Sequence, residues 1–182
     1  MITSIWFETH STTVDNETGI ATGWLPGELS SLGLERAAAL GKRIRDRGPD
    51  AIYTSDLARA VQTATIALKS ADLEVPVLLD WRLRECDYGR LNGAPSAQVH
   101  SDRLRHLTDP YPGGESWLQA IERTATAVRD AAARHPGGTI MIIGHRATEF
   151  GVRYACGGTD SPAAMITESS SWQPGRRYEI EV

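Results

Sequence analysis

Lysine is nearly absent from this 182-residue chain: of its 19 basic residues only Lys42 and Lys69 are lysines, and the rest are arginines. Acidic residues outnumber basic ones 23 to 19, for a formal net charge of −4. That balance argues against a general nucleic-acid binder, which needs a basic face. It is compatible with one small anionic ligand held by a local cluster of arginines. Long apolar runs are missing as well. The longest strong one is Ile140-Met141-Ile142-Ile143, far short of the ~20 residues of a membrane span, so no membrane contact is expected. Met1–Glu8 has neither the basic start nor the long apolar stretch of a secretory signal. Cys86 and Cys156 make no disulfide framework and no metal-spaced pair. Both are expected as reduced, buried thiols of a cytoplasmic protein. His100 and His106 sit in a segment expected to be solvated surface, so neither a metal nor another cofactor is expected. No feature of the sequence speaks to oligomeric state.

What is present is an ordinary globular composition, 41% apolar and 23% charged, long enough for one domain over residues 1–182. Short β-branched runs at 2–8, 51–54, Val75–Leu79 and Thr139–Ile143 read as strands. The last is apolar throughout, which suits a strand buried on both faces. Between them lie helical periods. Leu34, Ala37, Leu40 and Ile44 form one, stopped by Gly48-Pro49. Leu57, Val61, Ala64 and Leu68 form another, with Ser55 as its expected N-cap. Trp117, Ile121, Thr124 and Val128 form a third, ending near His135-Pro136-Gly137. This alternation predicts an α/β three-layer sandwich, a mostly parallel sheet with helices on both faces. Residues 90–113, rich in Pro, Gly, Asp and Arg, are expected to form a short lid or irregular helix over the sheet. Ile166–Trp172 and Tyr178–Val182, flanking Gln173-Pro174-Gly175-Arg176, read as a β-hairpin.

In open α/β sheets ligands sit beyond the carboxyl ends of the strands, and unusual polar residues fall there. The first strand runs into Thr9-His10-Ser11-Thr12-Thr13. The second ends in Thr54-Ser55-Asp56, with Arg59 one turn into the following helix. Arg82-Leu83-Arg84-Glu85 follows the third, and the buried strand ends in Gly144-His145-Arg146. Each has a plainer reading alone, such as an Arg59–Asp56 or Arg146–Glu149 pair on a helix surface. Their joint placement at four strand ends favours a site.

The blocks around these positions resemble the histidine phosphatase superfamily, which includes the phosphoglycerate mutases. Thr9-His10-Ser11-Thr12-Thr13-Val14-Asp15-Asn16 stands in the place of the family's Arg-His-Gly-x-Thr-x-x-Asn. Gly23-Trp24, then Leu29-Ser30-x-x-Gly33, continue the match. Ser55-x-Leu57-x-Arg59-Ala60-x-Gln62-Thr63-Ala64, Leu83-Arg84-Glu85-x-x-Tyr88-Gly89, Gly113-Gly114-Glu115-Ser116 and Ile142-Ile143-Gly144-His145 follow in the family's order. Together they cover most of residues 4–150.

The resemblance implies a phosphoglycerate mutase-like fold and a role for each position. His10 would be the nucleophile, forming a phosphohistidine that divides one hard step into two. A backbone carbonyl would hold the proton of its other ring nitrogen. Arg59 and His145 would bind the phosphoryl oxygens. Glu85 would act as general acid and then general base. Asn16 and the Ser11 amide would add donors. The implied activity is a metal-independent phosphomonoester hydrolase of the histidine acid phosphatase type, acting on a small phosphorylated substrate. The short 90–113 segment favours hydrolysis over mutase-type transfer, because the family's mutases carry a longer insertion there. Trp81, Tyr88, Tyr111 and Trp117 would shape the pocket for the organic part or belong to the core.

Thr9 departs from the family's arginine, Ser11 from its glycine, and Glu8 from an apolar strand residue. Three readings follow. Another arginine, Arg146 or Arg84, takes over the phosphate; or Thr9 and Glu8 meet a different kind of substrate; or the chain is a weak or inactive relative that binds a ligand and regulates.

Overall fold

The apolar run 140–143 lies at the centre of the sheet, as a strand covered on both faces must. The computed structural model describes residues 1–168 and 175–182. Its strands are β1 (Ile2–Thr9), β2 (Ile20–Ala21), β3 (Ala51–Thr54), β4 (Val77–Leu79), β5 (Ala94–Pro95), β6 (Thr139–Gly144) and β7 (Arg176–Glu181). Five of them form the main sheet in the order β4-β3-β6-β1-β7, and β2 pairs with β5 separately. All neighbours in the main sheet are parallel except β1 and β7, which run antiparallel.

The helices are α1 (Val14–Thr18), α2 (Ser31–Arg47), α3 (Ala58–Ala71), α4 (Ser96–His100), α5 (Trp117–Ala133), α6 (Arg146–Ala155) and α7 (Pro162–Thr167). Strand alternation sends successive side chains to opposite faces. Ile52, Met141 and Ile143 pack with Leu40, Ile44, Ala64 and Ala67 of α2 and α3. Tyr53, Ile140 and Ile142 pack with Val128 and Ala131 of α5 and Val152 of α6. The result is an α/β fold with a mostly parallel sheet flanked by helices, as the alternation predicts.

Local capping sets the helix starts. Ser30 and Ser116 accept hydrogen bonds from Gly33 N–H and Gln119 N–H, opening α2 and α5. Ser55 does not cap α3: Leu57, which has no polar side-chain atom, occupies that position, while Ser55 Oγ accepts from Leu57 N–H at 3.4 Å and faces His145 Nε2 at 2.7 Å. β4 is shorter than the 75–79 reading.

The terminal hairpin reading needs correction. Ile166 and Thr167 close helix α7, started by Ser161 as N-cap with Pro162 at its first position, a combination that favours helix over strand. Residues 169–172 and the turn residues Gln173-Pro174 lie outside the described residues. β7 pairs instead with β1, Ile2 opposite Glu181 through Phe7 opposite Arg176.

The 90–113 segment is made of short pieces rather than one irregular helix. Its anchor is aromatic: Tyr88, Tyr111 and Trp117 are buried together, and Tyr111 O–H donates to the Val99 carbonyl at 3.0 Å. Tyr111 and Trp117 therefore belong to the core, and Trp81 is 53% exposed. Cys86 is buried and Cys156 half-buried. Among the described residues no helix is long and apolar enough to cross a membrane.

Candidate active site

The parallel strands β1, β3 and β6 end side by side, and the polar residues after them converge. His10 N–H donates to the Gly144 carbonyl at 2.8 Å, tying the end of β1 to that of β6. His10 Nδ1 lies 2.7 Å from the Ser11 carbonyl. A carbonyl only accepts, so Nδ1 carries the proton and Nε2 keeps its lone pair. Burial, then the Arg59 charge, lowers the His10 pKa to about 3, against a small opposing pull from the Ser11 carbonyl. The ring is therefore neutral at ordinary pH.

His145 lies 5.0 Å from His10 between ring centroids. Its Nδ1 faces Arg59 Nη2 at 3.2 Å and its Nε2 faces Ser55 Oγ at 2.7 Å. Arginine has no acceptor, so Nδ1 accepts and Nε2 carries the proton. Burial, Arg59 and His10 hold its pKa well below the ordinary value.

Arg59 is 2% exposed. Nη1 donates to the carbonyls of Leu25 and Pro26, and Nη2 to that of Gly23. Both terminal nitrogens are engaged, so Arg59 acts on the site as a fixed positive charge. Glu85 accepts three backbone hydrogen bonds, from Cys86 N–H at 2.9 Å, Ala147 N–H at 3.0 Å and Arg146 N–H at 3.1 Å. The last two come from the first turn of α6, whose N–H groups have no intrahelical partner. They hold the carboxylate at the strand-end rim.

Two cavities meet at His10, Asn16 and Glu85. The larger, about 430 Å³, is also lined by Thr9, Ser11, His145 and Arg146. The smaller, about 110 Å³, is also lined by Arg59, Tyr88 and His100. Asn16 Oδ1 accepts from Thr13 N–H in the capping box of α1, which leaves its amide nitrogen as the end able to meet a ligand. No group of three or more His, Cys, Asp or Glu able to hold a metal occurs among the described residues.

Two expected ligand contacts are corrected. Ser11 lines the cavity, but its N–H donates to Thr63 Oγ1 at 2.9 Å and its hydroxyl to the Gly33 carbonyl at 2.7 Å. The loop is pressed against α2, where a Cβ at position 33 would meet the Thr12 carbonyl at 1.9 Å. Its donors are thus spent on packing. Arg84 points away to Asp56, with Nε at 2.6 Å and Nη2 at 2.5 Å, and lies over the Trp24 ring. Arg146 does line the larger cavity, but its Nη1 is on Glu149 at 2.6 Å and its guanidinium lies over Phe150. Its Nε and Nη2 are buried with no hydrogen-bond partner among the described residues.

Sequence reading missed several neighbours. Arg36, Leu40 and Arg43 face the larger cavity from α2; their i, i+4, i+7 spacing is the available signal. Arg36 donates to Thr12 Oγ1 at 2.9 Å. Glu8 is buried against Arg43 and Arg47. His100, expected in solvent, is half-buried against Tyr88 and reaches the smaller cavity.

The fold and blocks have known counterparts. Phosphoglycerate mutase 1 of Saccharomyces cerevisiae is 45% identical over 87 residues, 46% of this chain and 35% of that protein. The 2,3-bisphosphoglycerate-dependent phosphoglycerate mutase of Thermobifida fusca is 42% identical over 96 residues, 51% of this chain and 39% of that protein. The chain thus aligns with less than half the length of these curated relatives. Among solved structures, Bacillus stearothermophilus YhfR superposes with a TM-score of 0.80 at 28% identity, covering 99% of this chain and 91% of that one. A mycobacterial glucosyl-3-phosphoglycerate phosphatase superposes with a TM-score of 0.76 at 25% identity, covering 98% and 91%. The family model of the histidine phosphatase superfamily (branch 1) matches residues 5–158. With that match over most of its length, the chain belongs to the histidine phosphatase superfamily.

Proposed function

We propose that this protein is a phosphomonoester hydrolase that works through a phosphohistidine at His10, using protein side chains alone. The observation that carries the reading is the pairing of His10 Nδ1 with the Ser11 carbonyl, in a cavity shared with Glu85. A neutral imidazole with its Nε2 lone pair uncommitted is a nucleophile ready to attack phosphorus.

In the first step Nε2 bonds to phosphorus, the P–O ester bond breaks, and Glu85 gives its proton to the departing alkoxide oxygen. In the second, Glu85 takes a proton from water, the resulting hydroxide attacks phosphorus, and the N–P bond breaks to release inorganic phosphate. Arg59, fixed by three carbonyls, counters charge on the phosphoryl group without reorganising. His145 exchanges its Ser55 contact for a phosphoryl oxygen, and Asn16 adds a donor. The substrate is a small phosphorylated molecule. The short, piecewise 90–113 segment favours release to water over return transfer, so hydrolysis is preferred to a mutase reaction.

Thr9 favours a second reading, a phosphoester-binding regulator with little turnover. Hydrolysis of p-nitrophenyl phosphate in EDTA, beside His10→Ala, separates the two: equal rates for both proteins would remove the enzyme reading. Rapid acid-sensitive, base-stable labelling of His10 by a phosphorylated substrate would identify the intermediate.

A further inference from the structure

The smaller cavity holds a group that the reaction above does not use. His100, the last residue of α4, lines it together with Glu85 and Arg59. Arg103 Nε donates to His100 Nδ1 at 3.0 Å. Arginine offers only donors, so the imidazole must accept at Nδ1 and carry its proton on Nε2. Arg103 itself lines an outer basin of about 640 Å³, whose wall His100 shares. With Nδ1 committed on that side, Nε2–H is the ring donor available to the inner cavity. The ring is steadied edge-on against Tyr88, 5.8 Å between centroids at 78°. Burial and the Arg103 charge hold its pKa at about 4, so it stays a neutral, one-donor group.

The space beside it is small and polar. About 110 Å³ is room for several water-sized groups. Thr22 and Ser96 add hydroxyls to its lining. A short oxygen-bearing carbon chain fits it. A site that buries a hydrogen-bond donor discriminates against a ligand lacking the matching acceptor, because that donor is then left unpaired.

We infer that His100 is a specificity-determining residue whose Nε2–H selects phosphomonoesters of short polyols or hydroxy acids, through an oxygen one carbon removed from the ester. The inference rests on the proposed chemistry at His10 and Glu85 for its orientation of substrate.

The test compares glycerol 3-phosphate with n-propyl phosphate, which has the same chain without the hydroxyls. The ratio of their kcat/KM values is expected to favour glycerol 3-phosphate at least tenfold. It should fall at least tenfold in His100→Ala and stay within threefold of the starting ratio in His100→Gln, which retains an N–H donor. Thermal unfolding checks that both variants fold. A starting ratio near one, or a His100→Ala variant that loses both substrates equally, would overturn the inference. Calorimetric binding of the same two ligands to His10→Ala reads the preference without turnover, and equal affinities there would overturn it too. Failure of the His10 chemistry shows up separately, as equal p-nitrophenyl phosphate rates with and without His10.

Discussion

Glu8 and Arg43 form a two-point ion pair at the wall of the larger cavity, with Arg43 Nε at 2.8 Å and Nη2 at 3.2 Å from the Glu8 carboxylate oxygens. Arg47 Nη1 adds a third contact at 2.6 Å, and Gly175 N–H a fourth at 3.3 Å. Glu8 is 2% exposed and sits immediately before Thr9, where the superfamily pattern has arginine. The two departures are thus one local arrangement: the strand end gives up a cation, and the preceding carboxylate holds two from α2.

Replacing Glu8 by Gln leaves two arginines facing a neutral amide. Removing one partner of a buried pair costs about 3–5 kcal/mol, but both arginines retain access to water. A loss of about 2 kcal/mol is therefore expected on urea unfolding. A variant as stable as the parent would mean that the pair contributes nothing net.

Thr9→Arg places a guanidinium at the cavity. A charge-assisted contact to phosphate contributes about 1.5–3 kcal/mol, so orthovanadate should bind at least tenfold more tightly, read as its inhibition constant. Unaltered affinity would show that Glu8 and the Arg43 pair prevent the new side chain from reaching the anion.

The depressed His10 pKa has a definite sign in stability. Unfolded histidine binds a proton below about pH 6.5, whereas folded His10 does so only near 3. Between those values the unfolded state holds more protons, so stability falls as pH drops from 6.5 toward 3. Above 6.5 the group contributes no pH dependence. His10→Ala should flatten the decline between pH 7 and 5 in urea titrations, while His145, shifted the same way, keeps part of it. An unchanged slope would contradict the neutral His10.

Glu85→Gln removes the proton that the leaving oxygen needs. General acid catalysis contributes about 10²–10⁴-fold, so turnover of an alkyl phosphate should drop by at least a hundredfold. p-Nitrophenolate leaves without much help, so its release should drop far less. Equal losses on both substrates would place Glu85 in binding rather than proton transfer.

Arg84→Ala should leave orthovanadate affinity within twofold of the parent, since this arginine faces Asp56. Its cost is expected in stability alone, about 0.5–1 kcal/mol for a partly exposed pair.

Legibility from the sequence followed the range of the interactions involved. The apolar run at 140–143 and the helical periods of α2, α3 and α5 announce themselves because burial depends on a local period. The strand reading failed at Ile166 and Thr167, where local signals competed, since Ser161-Pro162 starts a helix and β-branched residues alone do not decide a short segment. His10, Arg59, Glu85 and His145 were readable as a group because they follow strand ends. The hydrogen-bond states of the last three were not, because they depend on partners far away in the chain: Ser55 for His145, the α6 amides for Glu85, the Gly23 and Leu25 carbonyls for Arg59; His10 alone takes its state from a neighbour, the Ser11 carbonyl.

The scarcity of lysine, the order of the motif blocks and the α/β alternation were determined by the sequence by itself, as was Thr9 in the arginine's place. Tertiary structure decided which groups still have something to give a ligand. It spent the donors of Ser11 on α2 and α3, turned Arg84 to Asp56, and put Arg146 at the larger cavity with Nη1 on Glu149 but Nε and Nη2 without hydrogen-bond partners among the described residues. It also brought Arg36, Arg43 and His100 to the cavities. The reason is that a hydrogen-bond donor can be committed to a limited set of partners, and the choice among them is made by three-dimensional proximity rather than by neighbours in the chain.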